Sequence, residues 1–349
     1  MNSLFFLLSG EHETLPAAEV LAILESEGYK YMDVRSAPKL LTLTADRSCV
    51  EIVVERAGMC NLGGLILFQT ENFENEIFKK ASEVLYLDYL GSRERFIVRT
   101  LRLFGSSRHL ERKRIESVIG SLISSAVPTS RVDPVRYNKE FLGIIGEKFL
   151  FGIVVSRSRR PRLVKHAPKS RPALYPATVQ PKLARSLVNL ARARPGDIFI
   201  DPFCGVGGIL IEAAAIGCKV VGSDISPEMV KKTLLNFRYL KLEPYGLLVA
   251  DAKKLPYPRA SSLATDPPYG RASSTYGTER SKLIREFLRE IKNIIMPGRF
   301  LCVASPSAID ICRLGYEEGL TLVERHVMRV HKSLTREIAV FSVKKRDSA

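Results

Sequence analysis

A short acidic and proline-rich segment, Asp266-Pro267-Pro268-Tyr269-Gly270, has the composition of a site that recognises an amino group on a base. Its two consecutive prolines remove two backbone donors and fix the local chain, so that the carboxylate and the nearby carbonyl oxygens present hydrogen-bond acceptors. The ring of the adjacent Tyr269 can stack on a base, an interaction that contributes about 1–3 kcal/mol per base. The alternative is a proline-rich turn with an incidental acid. The position of the segment at the end of a predicted strand favours the functional interpretation.

The glycine-rich segment DPFCGVGG at residues 201–208 lies between an apolar strand and an apolar helix. Its glycines allow backbone amides to approach a ligand closely, which indicates a nucleotide-like cofactor. The dinucleotide fingerprint GxGxxG is incomplete, because its third position is Leu210. An NAD-dependent dehydrogenase is therefore the weaker interpretation.

Two further acids, Asp224 and Asp251, each end a predicted strand after the glycine-rich segment. A carboxylate at such a strand end can accept hydrogen bonds from the hydroxyls of a ribose. A helix cap is the competing interpretation for Asp224, although Ser226 supplies a cap of its own. Two such acids in register with a glycine turn favour cofactor binding.

Strands and helices alternate after residue 171, which predicts a doubly wound, mostly parallel α/β sheet. Ligands of such sheets bind beyond the carboxyl ends of the strands, where the acids and the glycine turn stand. The earlier chain instead indicates two α+β units, and in the first of them Thr14 is predicted to cap a helix that runs through Ser26. We therefore predict domains at residues 1–70 and 71–155, a linker at 156–171 and a catalytic domain at 172–349.

Basic residues are concentrated in the second unit and in the linker. The unit carries Arg93, Arg95, Arg99, Arg102, Arg108, Arg112, Lys113 and Arg114. The linker SRSRRPRLVKHAPKSR holds seven Arg or Lys and no acid. A charge run is often only a solvated segment, but a run that joins a basic unit to a catalytic domain favours contact with phosphates.

The composition limits the classes of protein to which the chain can belong. Its 349 residues carry a formal net charge of +16, which suits a polyanionic partner such as nucleic acid or an acidic membrane surface, and charge alone does not choose between them. No apolar run has the length of a membrane span, and the first residues do not form a signal peptide, so we expect a soluble, cytoplasmic protein. The six cysteines and five histidines show no metal-binding spacing, and we predict no metal.

The motifs DPFCGVGG, GSDIS, ADA and TDPPYG resemble those of class I amino-methyltransferases with a DPPY motif. The preceding units resemble a ferredoxin-like domain followed by a THUMP RNA-binding domain. The flanking segments RPALYPATVQPKLARSLVNL and HVMRVHKSLTREIAVF are similar to those of archaeal tRNA guanine-N2-methyltransferases that act at tRNA position ten. The resemblance covers nearly the whole chain and implies a Rossmann-like catalytic domain.

The resemblance also implies a cofactor, S-adenosylmethionine, and the residues that contact it. They are Asp201, Phe203, Cys204, Gly205, Gly207, Asp224, Ile225, Asp251, Ala252 and Asp266. It implies a flipped guanine held by Asp266, Pro267, Pro268 and Tyr269, with Asp266 accepting a proton from the amino group.

The implied partner is tRNA, and a small zinc-ribbon activator subunit is a possible second one. The predicted RNA contacts are Arg99, Arg102, Arg108, Arg112, Lys113, Arg114, Arg157, Arg159, Arg160 and Arg162. Alternatives that keep the chemistry are a guanine of ribosomal RNA or an amino group of DNA. An RNA-binding scaffold without catalysis is the alternative of another class, although the retained DPPY segment disfavours it.

Overall fold

Two β-sheets organise the chain in the computed structural model, which describes residues 1–158, 166–175, 178–257, 259–268, 274–331 and 334–344. The chain divides into two compact units. The first unit contains Met1–Gly10, Tyr29–Glu55 and Cys60–Ser158. The second contains Glu11–Gly28, Arg56–Met59 and Arg159–Ala349.

The helices of the described residues range from 7 to 21 residues in length. They are α1 (Leu15–Ser26), α2 (Cys49–Arg56), α3 (Glu74–Ser82), α4 (Arg112–Ala126), α5 (Pro181–Leu190), α6 (Gly208–Ala215), α7 (Pro227–Tyr239), α8 (Ser274–Ile294) and α9 (Ile311–Glu317). Short 3-10 helices lie at Tyr86–Asp88 and Pro168–Ser170.

The first unit is built on an eight-stranded sheet. Its strands are β1 (Asn2–Leu8), β2 (Tyr31–Ala37), β3 (Leu40–Ala45), β4 (Cys60–Thr70), β5 (Arg95–Arg102), β6 (Arg131–Val132), β7 (Lys139–Ile145) and β8 (Phe149–Arg157). The spatial order is β2-β3-β1-β4-β8-β7-β5-β6, and only the pairs β5/β7 and β5/β6 are parallel. Consecutive residues of its central strands are buried, among them Phe5 and Phe6 of β1 and Phe141 and Leu142 of β7, as expected where both faces of a sheet are covered.

The sheet of the first unit is continuous across residue 70, because β4 pairs with β8. Residues 1–70 and 71–155 therefore contribute strands to one sheet. The second unit also contains α1, which the sequence analysis placed in the first domain. The four-part domain division stays a prediction, since compactness separates folding units and does not assign functional modules.

The second unit contains the predicted doubly wound sheet. Its strands are β9 (Ile198–Asp201), β10 (Lys219–Asp224), β11 (Gly246–Val249), β12 (Ala260–Thr265), β13 (Ile295–Pro306), β14 (Thr321–His331) and β15 (Leu334–Ser342). Their order is β11-β10-β9-β12-β13-β15-β14, with five parallel strands and a terminal antiparallel hairpin that inserts β15 beside β13. The predicted fold class is confirmed.

Helices cover both faces of this second sheet. One buried cluster joins Leu187 of α5 to Phe199 of β9, and another joins Phe287 of α8 to Leu263 of β12. All six residues of β12 are buried, which explains why this strand shows no alternation of polar and apolar residues. The carboxyl ends of β9, β10, β11 and β12 consequently lie along one edge, where the acids are found.

The start of α1 differs from the sequence prediction. Thr14 occupies the predicted cap position, but its hydroxyl lies 2.8 Å from His326 Nδ1 and does not cap the helix. His12 Nδ1 instead accepts hydrogen bonds from the backbone N–H groups of Thr14 and Leu15, at 3.1 and 3.0 Å. A histidine beyond the usual cap position therefore satisfies donors that the sequence pattern assigned to a threonine.

Two kinds of feature are absent from the described part of the chain, namely membrane-spanning helices and clusters of metal-binding side chains. Among those residues, no helix combines the length and the apolar character that crossing a bilayer requires. Within the same residues, no three His, Cys, Asp or Glu side chains lie together as a metal site.

Candidate active site

The glycine-rich turn between β9 and α6 has a backbone that glycine adopts far more readily than other residues. Gly205 has a φ of 53° and Gly207 a φ of 83°, both in the left-handed region. A Cβ atom on Gly207 would also lie 2.8 Å from Thr233 Cγ2. Gly207 therefore packs closely against α7, whereas Gly205, Val206 and Gly208 of the turn line a cavity; their close approach to a ligand stays a prediction.

Two buried polar residues of α7 hold this turn, and neither was predicted from the sequence. Thr233 Oγ1 donates to the Gly205 carbonyl at 2.7 Å, and Asn236 Nδ2 donates to the Val206 carbonyl at 2.9 Å. Asn236 also exchanges hydrogen bonds with the backbone of Ala173, each 3.0 Å long. The available signal was their spacing of three residues, which places two polar side chains on one buried helical face.

Asp224 accepts backbone hydrogen bonds through both carboxylate oxygens at the end of β10. Its Oδ2 accepts from Gly205 N at 3.0 Å, and its Oδ1 accepts from Ser226 N at 2.9 Å. Ser226 is the residue that caps α7, with its hydroxyl accepting from Met229 N at 3.4 Å. Each Asp224 oxygen keeps acceptor capacity for another donor, because an ionised carboxylate offers about four lone-pair sites.

The next strand end carries Asp251 and Ala252. Asp251 Oδ1 accepts from Lys253 N at 3.0 Å, and its Oδ2 lies 3.4 Å from Lys253 Nζ. Ala252 is buried, whereas Ile225, beside Asp224, leaves 71% of its surface exposed. An exposed aliphatic side chain at the rim of a cavity is suited to covering the face of a flat ring.

Asp201 lies deepest of the strand-end acids and is only 1% exposed. Its Oδ1 accepts from Thr265 Oγ1 at 2.6 Å and from Phe203 N at 3.1 Å. Burial raises the pKa of Asp201 to about 7, although these hydrogen bonds oppose the change. Phe203 packs edge-to-face on Phe287, with ring centres 5.3 Å apart. Asp201 thus joins the start of the turn to the end of β12.

Asp266, the first residue after β12, is held by an arginine that the sequence analysis did not select. Arg336 Nη2 donates to Asp266 Oδ2 at 3.0 Å, and the two side chains are 9% and 8% exposed. Asp266 Oδ1 is buried and has no hydrogen-bond partner within the described residues. Burial raises the pKa of Asp266 to about 7, and Arg336 acts in the opposite direction.

One cavity of about 410 Å³ unites these strand ends. Of the residues predicted to contact a cofactor or a base, it is lined by Asp201, Phe203, Cys204, Gly205, Asp224, Ile225, Asp251, Ala252, Asp266, Pro267 and Pro268. Gly207 shapes the turn but does not line the cavity. The lining also includes residues the sequence analysis did not assign to the site, among them Tyr175, Met229 and Leu283. Tyr269 lies outside the described residues, and its role stays a prediction.

The exposed residues among the predicted RNA contacts of the first unit include Arg108, Arg112 and Lys113. Arg112 and Lys113 begin α4, and Arg108 lies in the preceding loop. A helix N-terminus with two exposed cations is favourable for a phosphate group, because the helix dipole adds to their charge.

The other described members of that set have partners in the protein. Arg114 Nε lies 3.0 Å from Glu74 Oε2, and Arg157 makes a bidentate ion pair with Glu140. Arg102 donates a hydrogen bond to the Leu110 carbonyl, and the guanidinium of Arg99 lies over the Tyr137 ring, 5.2 Å from its centre. Arg159, Arg160 and Arg162 of the linker lie outside the described residues.

Comparisons with known proteins agree with this fold. A family model described as RMKL-like, methyltransferase domain matches residues 168–338. The crystal structure of TrmN from Thermus thermophilus superposes with a TM-score of 0.55 at 20% sequence identity, covering 98% of this chain and 99% of that one. At this identity the likeness shows the fold alone.

Similarity to curated relatives is closer. The chain is 33% identical over 344 residues to the tRNA (guanine(10)-N2)-dimethyltransferase of Methanothermobacter thermautotrophicus, covering 96% of this chain and 97% of the relative. It is 30% identical over 366 residues to the enzyme of that name from Methanocaldococcus jannaschii, covering 96% and 98%. The chain therefore belongs to the tRNA (guanine(10)-N2)-dimethyltransferase family, and the family predicted from the sequence motifs is confirmed.

Proposed function

We propose that this protein transfers methyl groups from S-adenosylmethionine to the exocyclic N2 of guanine 10 in tRNA. The observation that carries the proposal is the buried carboxylate of Asp266, whose Oδ1 has no hydrogen-bond partner among the described residues. Asp266 lines the same cavity as the strand-end carboxylates of Asp224 and Asp251. A buried acceptor without a partner is costly in a folded protein and is typical of a site that receives a ligand donor. Membership of the family supports the choice of donor and acceptor.

The residues of the cavity fit S-adenosylmethionine. Gly205 leaves open space where a Cβ atom would stand, so a ligand can approach the turn closely. Asp224 has acceptor capacity left on both oxygens for the ribose hydroxyls. Asp251 and Ala252, which follow the neighbouring strand, and the exposed Ile225 also line the cavity. These three residues would hold the adenine. The bound cofactor supplies an electrophilic methyl group on a positively charged sulfur.

The protein residues promote the transfer by orienting the acceptor and removing a proton. The lone pair of guanine N2 is delocalised into the ring, so the nitrogen must become more tetrahedral as it attacks the methyl carbon. Asp266 Oδ1 and the Pro267 carbonyl would accept its two N–H groups and stabilise the positive charge that develops on N2. N2 forms the new bond to carbon, the old carbon–sulfur pair stays on sulfur, and one N2 proton passes to Asp266.

The pKa of Asp266, raised to about 7, suits this proton transfer near neutral pH. The target guanine must leave its helical stack to enter the cavity, at a cost of a few kcal/mol. Stacking on Tyr269 would offset part of that cost, as expected from the sequence. Contacts between tRNA phosphates and the exposed cations Arg108, Arg112 and Lys113 would offset more.

The first unit is proposed to act as the RNA-binding part, as the resemblance to a THUMP domain implies. A cytoplasmic location follows from tRNA as the substrate. The resemblance also leaves a place for a small zinc-ribbon activator subunit, which co-purification from the native host would detect.

Nucleoside mass spectrometry after reaction with unmodified tRNA tests the proposal. Purified protein and S-adenosylmethionine should convert one guanosine of the transcript to N2-methylguanosine and then to N2,N2-dimethylguanosine. A transcript with adenosine at position 10 is the matched control and should accept no methyl group at that position. Methylation of both transcripts to the same extent, or of ribosomal RNA in preference to tRNA, would contradict the assignment.

A further inference from the structure

Arg336 and Asp266 form a buried ion pair at the cavity although they are far apart in the sequence. The pair depends on the terminal hairpin, because β15 lies antiparallel to β13, and β13 lies parallel to β12. Arg336 stands opposite Pro306 at the end of β13, and Asp266 follows the end of β12. The hairpin thus brings a guanidinium to the edge of the sheet at which the strand-end acids meet.

The geometry of the pair divides the two carboxylate oxygens between two tasks. Oδ2 accepts from Arg336 Nη2 at 3.0 Å. Oδ1 is buried and has no partner within the described part of the chain, while Asp266 itself lines the cavity. A carboxylate anchored at one oxygen cannot rotate freely about its last bond, so the position of the other oxygen is also fixed.

Arg336 is the positively charged partner of Asp266, as the other groups around this carboxylate show. Asp201, at the end of β9, is an acid, and the negative charges of Asp201 and Asp266 repel each other when both are ionised. Glu337, the next residue along β15, projects to the opposite face, where its Oε1 accepts from Arg325 Nε at 2.6 Å. Leu283 of α8, which also lines the cavity, is uncharged. Among the described residues, Arg336 is the cation that acts on the Asp266 carboxyl.

We infer that Arg336 is a positioning residue, which holds Asp266 Oδ2 so that Oδ1 meets the amino group of the guanine. This inference rests on the proposed methyl transfer to N2. Arg336 has two effects on the reaction: it fixes the direction of the accepting oxygen, and it favours the ionised form of the carboxyl that must take the proton. Neither effect requires Arg336 to touch the substrate.

Removing the guanidinium should therefore change the pH dependence of the reaction and not only its rate. An opposite charge close to a carboxyl lowers its pKa by about 1–3 units, so Arg336→Met should raise that of Asp266 by about one unit or more. If the pKa moves from about 7 to about 8, the ionised fraction at pH 7 falls from about one half to about one eleventh. The single-turnover rate at pH 7 should then fall at least about fivefold and recover partly toward pH 9.

The test compares wild type, Arg336→Met and Arg336→Lys in single-turnover methylation of tRNA between pH 6 and 9. Arg336→Lys keeps the charge but not the planar fork, so its pH midpoint should stay near that of wild type while its rate falls. Arg325→Met is the matched control, because it removes an arginine from the adjacent strand β14 whose partner, Glu337, projects away from Asp266. Its pH midpoint should be unchanged, and tRNA affinity should stay within a few fold in all variants.

A second readout needs neither cofactor nor tRNA. The carboxyl ¹³C signal of Asp266 in aspartate-labelled protein, assigned by its loss in Asp266→Asn, should titrate at higher pH in Arg336→Met than in wild type. If Arg336→Met does not fold, Arg336→Gln, which keeps a donor without the charge, takes its place. This titration also separates the two hypotheses, because it tests the ion pair even if wild type were to methylate no tRNA.

A double variant completes the test. When Asp266 is already replaced by Asn, adding Arg336→Met should lower the rate no further, since Arg336 is inferred to act through that carboxylate. An additive loss in the double variant, or a pH-independent loss in Arg336→Met with an unchanged carboxyl titration, would overturn the inference. Arg336 would then support the fold or contact the RNA by itself.

Discussion

Replacing Asp224 by Ala should weaken the binding of S-adenosylmethionine without affecting that of tRNA. The variant loses an ionised acceptor that is proposed to bind the ribose hydroxyls, a loss of about 1.5–3 kcal/mol for hydrogen bonds to a charged group. This corresponds to a rise in Kd of about 10- to 150-fold. The Gly205 and Ser226 amides also lose their acceptor, so the turn should become less ordered.

Asp224→Asn should bind the cofactor nearly as weakly as the Ala variant. Because each oxygen of Asp224 accepts from a backbone N–H, an amide must direct its NH₂ group at one of these two donors. Isothermal titration with S-adenosylmethionine measures both variants. Asp310→Ala is the matched control, because Asp310 caps α9 through Arg313 N at 3.1 Å and does not line the cavity. Unchanged cofactor affinity in a folded Asp224→Ala protein would refute the proposed role.

Three further predictions concern stability and RNA binding. Glu19 of α1 is fully buried and accepts hydrogen bonds from Gly58 N, Met59 N and Asn189 Nδ2, each at 2.8 Å. Glu19→Ala should therefore lower the free energy of unfolding, measured by denaturant titration, by about 2–5 kcal/mol. A loss below about 1 kcal/mol would contradict this prediction. Burial lowers the pKa of His12, so that as pH falls the unfolded chain binds a proton at this histidine before the folded protein does. The stability of the folded protein should therefore fall as pH drops below about 6.5. His12→Asn, whose side chain can still accept the backbone N–H groups, should show a smaller decrease in melting temperature over the same pH range. Replacing the exposed Arg112 and Lys113 together by Ala should reduce the salt dependence of tRNA binding by up to about two phosphate equivalents. Replacing Arg157, which is already paired with Glu140, should reduce it less. Equal effects would contradict the proposal that the exposed cations contact phosphates and the paired one does not.

The strand-end acids could be predicted from the sequence because their positions follow from local rules. Each of Asp201, Asp224, Asp251 and Asp266 follows an apolar segment of strand length, and parallel strands end at the same edge of a sheet. Once the alternation of strands and helices was recognised, their convergence on one cavity followed without knowledge of any long-range contact.

The partners of these acids could not be predicted in this way. Arg336 meets Asp266 only because β15 is inserted next to β13, and no local pattern specifies that insertion. Asn236 reaches Ala173, which lies 63 residues earlier in the chain. Propensity rules also placed Thr14 as the cap of α1, whereas a tertiary contact with His326 takes its hydroxyl. Side chains that depend on tertiary neighbours are the ones that such rules miss.

The most direct measurement of the central claim is the single-turnover rate of methylation by Asp266→Ala, with enzyme in excess over a tRNA that has one target guanine. If Asp266 orients the amino group and accepts its proton, the rate should fall by at least the roughly hundredfold typical of general-base loss. Affinities for cofactor and tRNA should stay within a few fold. Asp266→Asn should lie between wild type and Ala, because its amide oxygen accepts one hydrogen bond but takes no proton at neutral pH. A folded Asp266→Ala protein with a near-wild-type rate would contradict the proposed mechanism.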